Sequence, residues 1–195
     1  MARFGKWTWI AAGVAALAAT GGAPGTSAAW AELQVGTQAP DFTTRGALGG
    51  HVFRLHLAEQ LRKGPVVLYF FPAAFTPGCT AEAREFAEKS DEFKAAGATV
   101  IGMSSDPIDK LAQFSTEECR SKFAVASAGP RIIQNYQVAL QSDNPALQGR
   151  TDRTSYVISQ AGRIVYVHSA LDYRDHVANT LAAVKQLQAG NLPGR

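Results

Sequence analysis

The chain has 195 residues, of which 46% are hydrophobic and 18% are charged, with 18 glycines and 9 prolines. This is the composition of a globular protein, and it excludes collagen-like, coiled-coil and wholly disordered chains. The net charge is +3 without a long basic run, so no nucleic-acid partner is indicated. Two cysteines are too few for a disulfide-stapled small fold or for a zinc site built from cysteines alone.

The amino-terminal residues 1–31 have the layout of a secretory signal peptide, which predicts an exported, periplasmic protein. The evidence is a basic start (Arg3 and Lys6), an uncharged apolar run over 7–20 and the small-x-small cleavage pattern Ala29-Trp30-Ala31. The apolar run is shorter than the roughly 20 residues that cross a bilayer. Cleavage would leave 32–195 as the mature domain without stable membrane association, and an uncleaved membrane anchor stays open as the alternative.

In the mature chain, a continuous apolar run over 66–71 is typical of a strand buried on both faces of a sheet. A helix over 79–96 follows, because Cys79, Phe86 and Phe93 recur at seven-residue spacing on one face. The other predictions are, in chain order, extended stretches over 41–43 and 52–55, a strand over 99–103, a helix over 107–121 capped by Asp106, a strand over 123–127, a helix over 131–140, a loop over 141–152, a hairpin over 154–168 and a helix from near Asp172 to Gly190.

This order of elements indicates the fold class. A βαβ unit followed by a hairpin and a helix is the arrangement of thioredoxin-like domains. The sequence therefore predicts a single α/β domain of thioredoxin-like fold, with a central mixed β-sheet flanked by helices.

Cys79 lies where the first buried strand gives way to a helix. A thiol in the first helical turn faces unpaired backbone N–H groups and the positive end of the helix dipole, and both favour the thiolate. A thiolate is the nucleophile that thiol chemistry requires. From its position alone, a structural cysteine on the apolar face of the helix is an equally good interpretation.

The residues around Cys79 decide between these interpretations. Pro72, Thr76 and Cys79 have the spacing Pro-x-x-x-Thr-x-x-Cys, and PAAFTPGCT resembles the active-site signature of the peroxiredoxins, which are thiol peroxidases. The turn FTPGCTAEA is similar to that of their Q-type, or bacterioferritin-comigratory-protein, subfamily. Further segments resemble the family in register, over 38–42, 100–106, 135–138, 153–158 and 162–164, so the resemblance covers about 36–188.

The resemblance implies a role for five residues. Cys79 would attack the peroxide, the Thr76 hydroxyl would bond to the thiolate and the peroxide, and Pro72 would shield the sulfur from water. Arg153 would hold the thiolate and stabilise charge on the departing oxygen. Glu82, one helical turn after Cys79, would orient Arg153.

Three of these residues also have plain structural interpretations. Thr76 could be a turn or cap residue, and Glu82 a solvated first-turn carboxylate that suits the helix dipole. Arg153 could be a surface charge, and Arg150 competes with it for the role beside the sulfur. The pattern Arg-x-Ser-aromatic-aliphatic-Ile resembles the family at 153–158 and favours Arg153.

The second cysteine bears on the catalytic cycle. Many Q-type members carry a resolving cysteine five residues after the peroxidatic one, and Arg84 occupies that position here. A minority carry it on the helix predicted over 107–121, near whose end Cys119 lies. The resemblance thus implies that Cys119 forms an intramolecular disulfide with Cys79 and that a thioredoxin-like donor reduces it. Alternatively, Cys119 is unreactive and an outside thiol reduces Cys79 directly.

Other thioredoxin-fold functions fit the sequence less well. Disulfide reductases carry Cys-x-x-Cys and copper-delivery proteins Cys-x-x-x-Cys, but Glu82 and Ala83 occupy those second positions. A peroxide sensor that uses Cys79 as a switch without turnover stays open as the alternative to an enzyme. No metal or cofactor is expected, since the histidines share no ligand spacing and are predicted to be surface or half-buried residues: His51, His56, His168 and His176.

Three further expectations concern the partners, the oligomeric state and the entrance for the substrate. Peroxide and a thiol reductant are the expected partners, and the resemblance to an often monomeric subfamily favours a monomer. Three aromatic residues near the site could line an apolar entrance for organic peroxides or belong to the core: Phe71, Phe75 and Phe123.

Overall fold

A computed structural model of the chain describes residues 1–2 and 32–192. Except for its first two residues, the predicted signal peptide lies outside this described part, as do residues 193–195. Among the helices of the described residues, none is long and apolar enough to cross a membrane.

One mixed sheet forms the centre of the domain. In the described part of the chain its strands are β1 (Thr43–Leu48), β2 (His51–His56), β3 (Val66–Phe70), β4 (Thr99–Ser104), β5 (Ala124–Ser127), β6 (Thr154–Ile158) and β7 (Ile164–Ser169). Their order across the sheet is β2-β1-β5-β4-β3-β6-β7. Strands β3, β4 and β5 are parallel neighbours, and the two hairpins add antiparallel strands at both edges.

Helices cover both faces of this sheet. Within the described residues they are α1 (Leu57–Leu61), α2 (Pro77–Glu88), α3 (Ser90–Ala95), α4 (Ile108–Glu117), α5 (Pro130–Tyr136) and α6 (His176–Gln188). Helices α2, α3, α4 and α6 pack in one apolar layer, and α1 and α5 pack in the other. The predicted α/β domain with a mixed sheet and thioredoxin-like element order is confirmed, and every residue of β3 is buried.

One predicted helix is divided and another ends early because single residues leave the helical backbone. The helix predicted over 79–96 divides at Lys89, whose backbone angles (φ −89°, ψ 3°) interrupt the regular turn between α2 and α3. The helix predicted over 131–140 ends at Tyr136, because Gln137 adopts a left-handed conformation with φ 56°.

The last helix begins at His176 and not near Asp172. The Asp172 carboxylate accepts hydrogen bonds from the backbone and the guanidinium of Arg174, which holds 172–174 in a turn. The predicted apolar face of the helix is otherwise confirmed, since its four residues are buried: Val177, Leu181, Val184 and Leu187.

Candidate active site

The carboxylate of Asp106 stabilises the turn between β3 and α2. Its Oδ2 accepts hydrogen bonds from the backbone N–H of Ala74 at 2.7 Å and from the Ser104 hydroxyl at 2.8 Å, and Lys110 pairs with its Oδ1 at 2.9 Å. Burial would raise the pKa of Asp106, but these hydrogen bonds together lower it. The prediction that Asp106 caps the next helix is wrong, because its carboxylate serves the turn and Pro107 precedes Ile108 at the helix start.

Cys79 lies in the first turn of α2 with 2% of its surface exposed. Nη2 of Arg153 donates a hydrogen bond to its Sγ at 3.4 Å. Nε of the same guanidinium donates to the carbonyl of Leu171 at 2.9 Å, and Nη1 donates to Oε2 of Glu82. Since all three nitrogens are engaged, the guanidinium is fixed with its charge against the sulfur.

Glu82 is fully buried one turn after Cys79, and its Oε2 accepts the bond from Arg153. Burial raises the pKa of Glu82, whereas the neighbouring guanidinium of Arg153 lowers it and favours the carboxylate. The interpretation of Glu82 as a solvated first-turn carboxylate is wrong, because its side chain points into the core and binds the arginine.

His176 belongs to the same buried network, which the sequence did not predict. It is fully buried, its Nδ1 is 2.8 Å from the Ser155 hydroxyl, and its Nε2 is 2.9 Å from the carbonyl of Ala170. Nε2 must therefore carry the proton, and Nδ1 accepts from Ser155 in the neutral ring. Nδ1 is also 3.8 Å from Oε1 of Glu82, an oxygen without a hydrogen-bond partner in the described part of the chain.

The sequence did contain a signal for this histidine. His176, Thr180, Ala183 and Leu187 follow a helical spacing, and all four are buried on α6. The prediction of surface or half-buried positions holds for His51, His56 and His168 but is wrong for His176.

Replacing His176 with glutamine is expected to reduce the loss of stability in acid. Burial lowers the pKa of His176 from 6.5 to about 4, so the unfolded chain binds a proton first as the pH falls. The neutral His176 ring contributes fully to the free energy of unfolding above pH 6.5, and this contribution is lost as the pH falls towards 4. Between these two pH values the free energy of unfolding falls by about 3 kcal/mol for this reason.

Urea unfolding at pH 7.5 and pH 4.5 measures this difference in free energy. The exposed His51→Gln is the matched control, because it removes a solvated histidine. His176→Gln should show a smaller loss between the two pH values than the wild type and His51→Gln. Equal losses in all three proteins would contradict the assignment of a neutral buried ring.

The other predicted residues lie in the turn before α2 or contact it. Thr76 is exposed, and its hydroxyl donates to the carbonyl of Ala73 at 2.9 Å and not to the thiol. The expected bond from this hydroxyl to the thiolate is therefore absent here, and its lone pairs are left to accept from a third group. Pro72 is half-buried, and its carbonyl accepts from Arg150 at 3.2 Å, so Arg150 supports the turn while Arg153 contacts the sulfur.

Cys119 follows α4 and does not lie within it, since the helix ends at Glu117. The helix predicted to 121 stops early because Arg120 and Ser121 adopt left-handed conformations, with φ 49° and 55°. Two such residues in succession store backbone strain when neither is glycine. Cys119 is fully buried, and burial raises the pKa of its thiol far above the ordinary value.

The segment around Cys119 is tied to the helix that carries Cys79. Arg84 of α2 pairs with Glu118 at 2.6 Å, and Glu88 of α2 pairs with Arg120 at 3.4 Å. The two thiols are free, and both belong to the same apolar layer. The ion pairs thus join the two cysteine-bearing segments on either side of Cys119.

Tyr69 on β3 lies within electrostatic reach of both thiols. Burial raises the pKa of its hydroxyl, and Cys119, Glu82 and Cys79 each raise it further.

Of the three aromatic residues considered for a peroxide entrance, Phe71 and Phe123 are buried in the core, and Phe75 alone is exposed.

The profile of the AhpC/TSA family matches residues 35–167, which is most of the described domain. The chain belongs to the AhpC/TSA family. Peroxiredoxin Bcp of Bacillus subtilis (strain 168) is 27% identical over 156 residues, which cover 80% of this chain and 97% of that protein. The putative peroxiredoxin bcp of Haemophilus influenzae is 33% identical over 148 residues, covering 74% and 91%.

Solved structures agree with this assignment. Peroxidoxin BcpB of Mycobacterium tuberculosis superimposes with a TM-score of 0.71 at 29% identity, covering 80% of this chain and 98% of that one. Peroxiredoxin Q of Xanthomonas campestris gives a TM-score of 0.64 at 25% identity, covering 74% and 90%. The predicted resemblance is confirmed: the chain is a Q/Bcp-type peroxiredoxin, an enzyme that reduces peroxides with thiols.

Proposed function

We propose that this peroxiredoxin reduces hydrogen peroxide and alkyl hydroperoxides with Cys79 as the attacking thiolate. The observation that carries the assignment is the 3.4 Å contact between Sγ of Cys79 and the fixed guanidinium of Arg153. The sulfur forms an S–O bond with one peroxide oxygen as the O–O bond breaks. The departing oxygen takes up a proton and leaves as water or an alcohol, and Cys79 becomes a sulfenic acid.

The other four residues support this step. Arg153 stabilises negative charge, first on the sulfur and then on the departing oxygen, because its guanidinium is already oriented in the buried site. Glu82 holds Nη1 of Arg153. Thr76, whose proton is engaged by the carbonyl of Ala73, accepts from the peroxide, and Pro72 limits the access of water.

Cys119 resolves the sulfenic acid in this proposal. Its thiol condenses with the sulfenic acid of Cys79 to form a disulfide and release water, and a thioredoxin-like dithiol donor then reduces the pair. The two ion pairs between α2 and the segment around Cys119 support this role, because they hold the segments side by side. Both thiols are buried, so the first turn of α2 and the strained turn at 119–121 must open to form the bond.

One equivalent of hydrogen peroxide is expected to consume both thiols of the wild type. After thiol alkylation under denaturing conditions, mass spectrometry should show an unalkylated, monomeric disulfide between Cys79 and Cys119. Cys119→Ser should instead carry a sulfenic acid that a cyclic diketone probe labels at Cys79. Resolution by Cys119 is wrong if the wild type keeps an alkylatable Cys119 after its first turnover.

Export completes the proposal. The basic start, apolar run and cleavage pattern over 1–31 support secretion to the periplasm and cleavage after Ala31. The periplasm is a compartment that permits disulfides such as the one between Cys79 and Cys119. In this proposal the enzyme works there as a monomer. Amino-terminal sequencing of the protein from its own cells tests this, because the mature chain would begin at Glu32.

A further inference from the structure

A cavity of about 550 Å³ opens at the end of the sheet opposite to Cys79. Cys79 follows the carboxyl end of β3, whereas the cavity is lined by the first residues of the parallel strands β4 and β5. Space arises there because β5 pairs with β4 only from Ala124 and Ile101 onwards, and with β1 only at 46–47. The cavity is therefore separate from the peroxide site.

The walls of this cavity are apolar. Leu55, Phe93, Ile101 and Phe123 line it and are buried, and they come from both apolar layers of the domain. Phe53 stands among the lining residues with 37% of its surface exposed. The volume falls in the range of about 300–1,000 Å³ that small-molecule sites occupy, and the walls suit an aliphatic chain.

The charged residues around the cavity are basic. Lys63, Lys94 and Lys122 line it with His51, and no acidic residue does so among the described residues. Lys63 donates a hydrogen bond to the neutral amide of Gln60, and within the described residues neither Lys63 nor Lys122 makes an ion pair. Lys94 has a single long contact with Asp91, at 3.8 Å. An apolar interior lined by basic but not acidic side chains, among the described residues, complements an anion that carries a hydrocarbon tail.

We propose that this cavity binds a single-chain aliphatic carboxylate, that is, a free fatty acid. The tail occupies the apolar interior, and the carboxylate faces the lysines. The site lies at the opposite end of the sheet from Cys79, so binding does not depend on the peroxidase cycle. Bound ligand stabilises the domain in proportion to its occupancy, because the unfolded chain has no such cavity.

Calorimetric titration with decanoate tests the proposal, with decanol and decyltrimethylammonium as ligands of the same tail length. We expect saturable binding of one decanoate per chain, weaker binding of decanol and none of the cationic amphiphile. Cys79→Ser should bind decanoate like the wild type, so failure of the proposed peroxidase mechanism and failure of this site give different results. Absence of saturable decanoate binding, or equal binding of the cation, would overturn the proposal.

Variants separate the contributions of head and tail. Lys94→Ala/Lys122→Ala should weaken decanoate binding about tenfold and leave decanol binding unchanged. The matched control Lys89→Ala/Lys185→Ala removes the same charge outside the cavity, where both lysines pair with Glu92, and should bind decanoate normally.

A third variant and a binding measurement with phospholipid vesicles complete the test. Phe53→Asp should weaken binding of both decanoate and decanol, because it places a carboxylate in the apolar lining. An effect of the control pair equal to that of Lys94→Ala/Lys122→Ala would overturn the assigned head-group site. So would binding to acidic phospholipid vesicles without binding to free decanoate.

Discussion

Replacement of Cys79 by serine is expected to lower kcat/KM for hydrogen peroxide by about 10⁴-fold or more, since the step loses its nucleophile. A serine hydroxyl at this position stays protonated. In the described site its neighbour is the guanidinium of Arg153, which is a cation and cannot act as a base. Peroxide consumption in the presence of excess dithiol reductant measures the loss, and the fold is checked by urea unfolding.

Cys119→Ser is the matched control for this result. Burial raises the pKa of the Cys119 thiol in the wild type, so at neutral pH Cys119 is protonated and does not supply the attacking thiolate. The first oxidation of Cys119→Ser should therefore proceed at nearly the wild-type rate in a rapid-mixing experiment. Substantial activity in Cys79→Ser that disappears in the double variant would assign the attack to Cys119.

The sequence predicted the centre of the site because the relevant signals are local. An apolar run between two prolines predicts β3, and the turn that follows it places Cys79 in the first turn of α2. The choice between Arg150 and Arg153 is not local, because it depends on how β6 pairs. Thr154 lies opposite Phe70 in the antiparallel register, so Arg153 enters beside the end of β3, where the turn begins.

The ends of helices were harder to predict for a related reason. Nothing in the side chains of Arg120 and Ser121 favours a left-handed backbone, which glycine adopts far more readily. Contacts of the folded segment accompany it instead: Arg120 pairs with Glu88 of α2, and the backbone N–H of Ser121 donates to the carbonyl of Ser115 in the last turn of α4. The sequence therefore placed Cys119 near a helix end but could not show that it lies in a strained turn.

The departure from the subfamily pattern at position 84 has a structural explanation. Arg84 stands where many Q-type members carry a resolving cysteine, and its guanidinium binds Glu118, the residue before Cys119. The same position of α2 thus contacts the segment that bears the second thiol.

Burial of His176 escaped prediction because its two hydrogen-bond partners, Ser155 and Ala170, come from β6 and from the segment after β7.

Replacement of Arg153 by methionine is expected to lower kcat/KM for peroxide by about 10²- to 10³-fold, the usual cost of removing one oriented donor from a buried site. The side chain donates to Cys79, Glu82 and the carbonyl of Leu171 at once, which a lysine with a single ammonium group cannot reproduce. Arg153→Lys should therefore recover only a small part of the lost activity.

The matched control is Arg150→Met, which removes an equal charge three residues away. Arg150 contacts the carbonyl of Pro72 and approaches Asp106 at 3.9 Å, so its loss should loosen the turn and cost less than about tenfold. Rapid-mixing oxidation of Cys79 at several peroxide concentrations separates the effects of Arg153→Met and Arg150→Met. Loss of charge stabilisation lowers the second-order rate constant of Cys79 oxidation without changing the fold.

The fold should survive removal of the guanidinium because of the pKa of Glu82. With Arg153 absent, burial still raises that pKa, and a protonated carboxyl at neutral pH leaves no unpaired charge in the core. Glu82→Gln provides the second test: it keeps a side-chain oxygen to accept from Nη1 and removes the carboxylate, so it should cost only about tenfold. If Arg150→Met impaired oxidation more than Arg153→Met, the assignment of Arg153 as the group that stabilises the departing oxygen would be wrong.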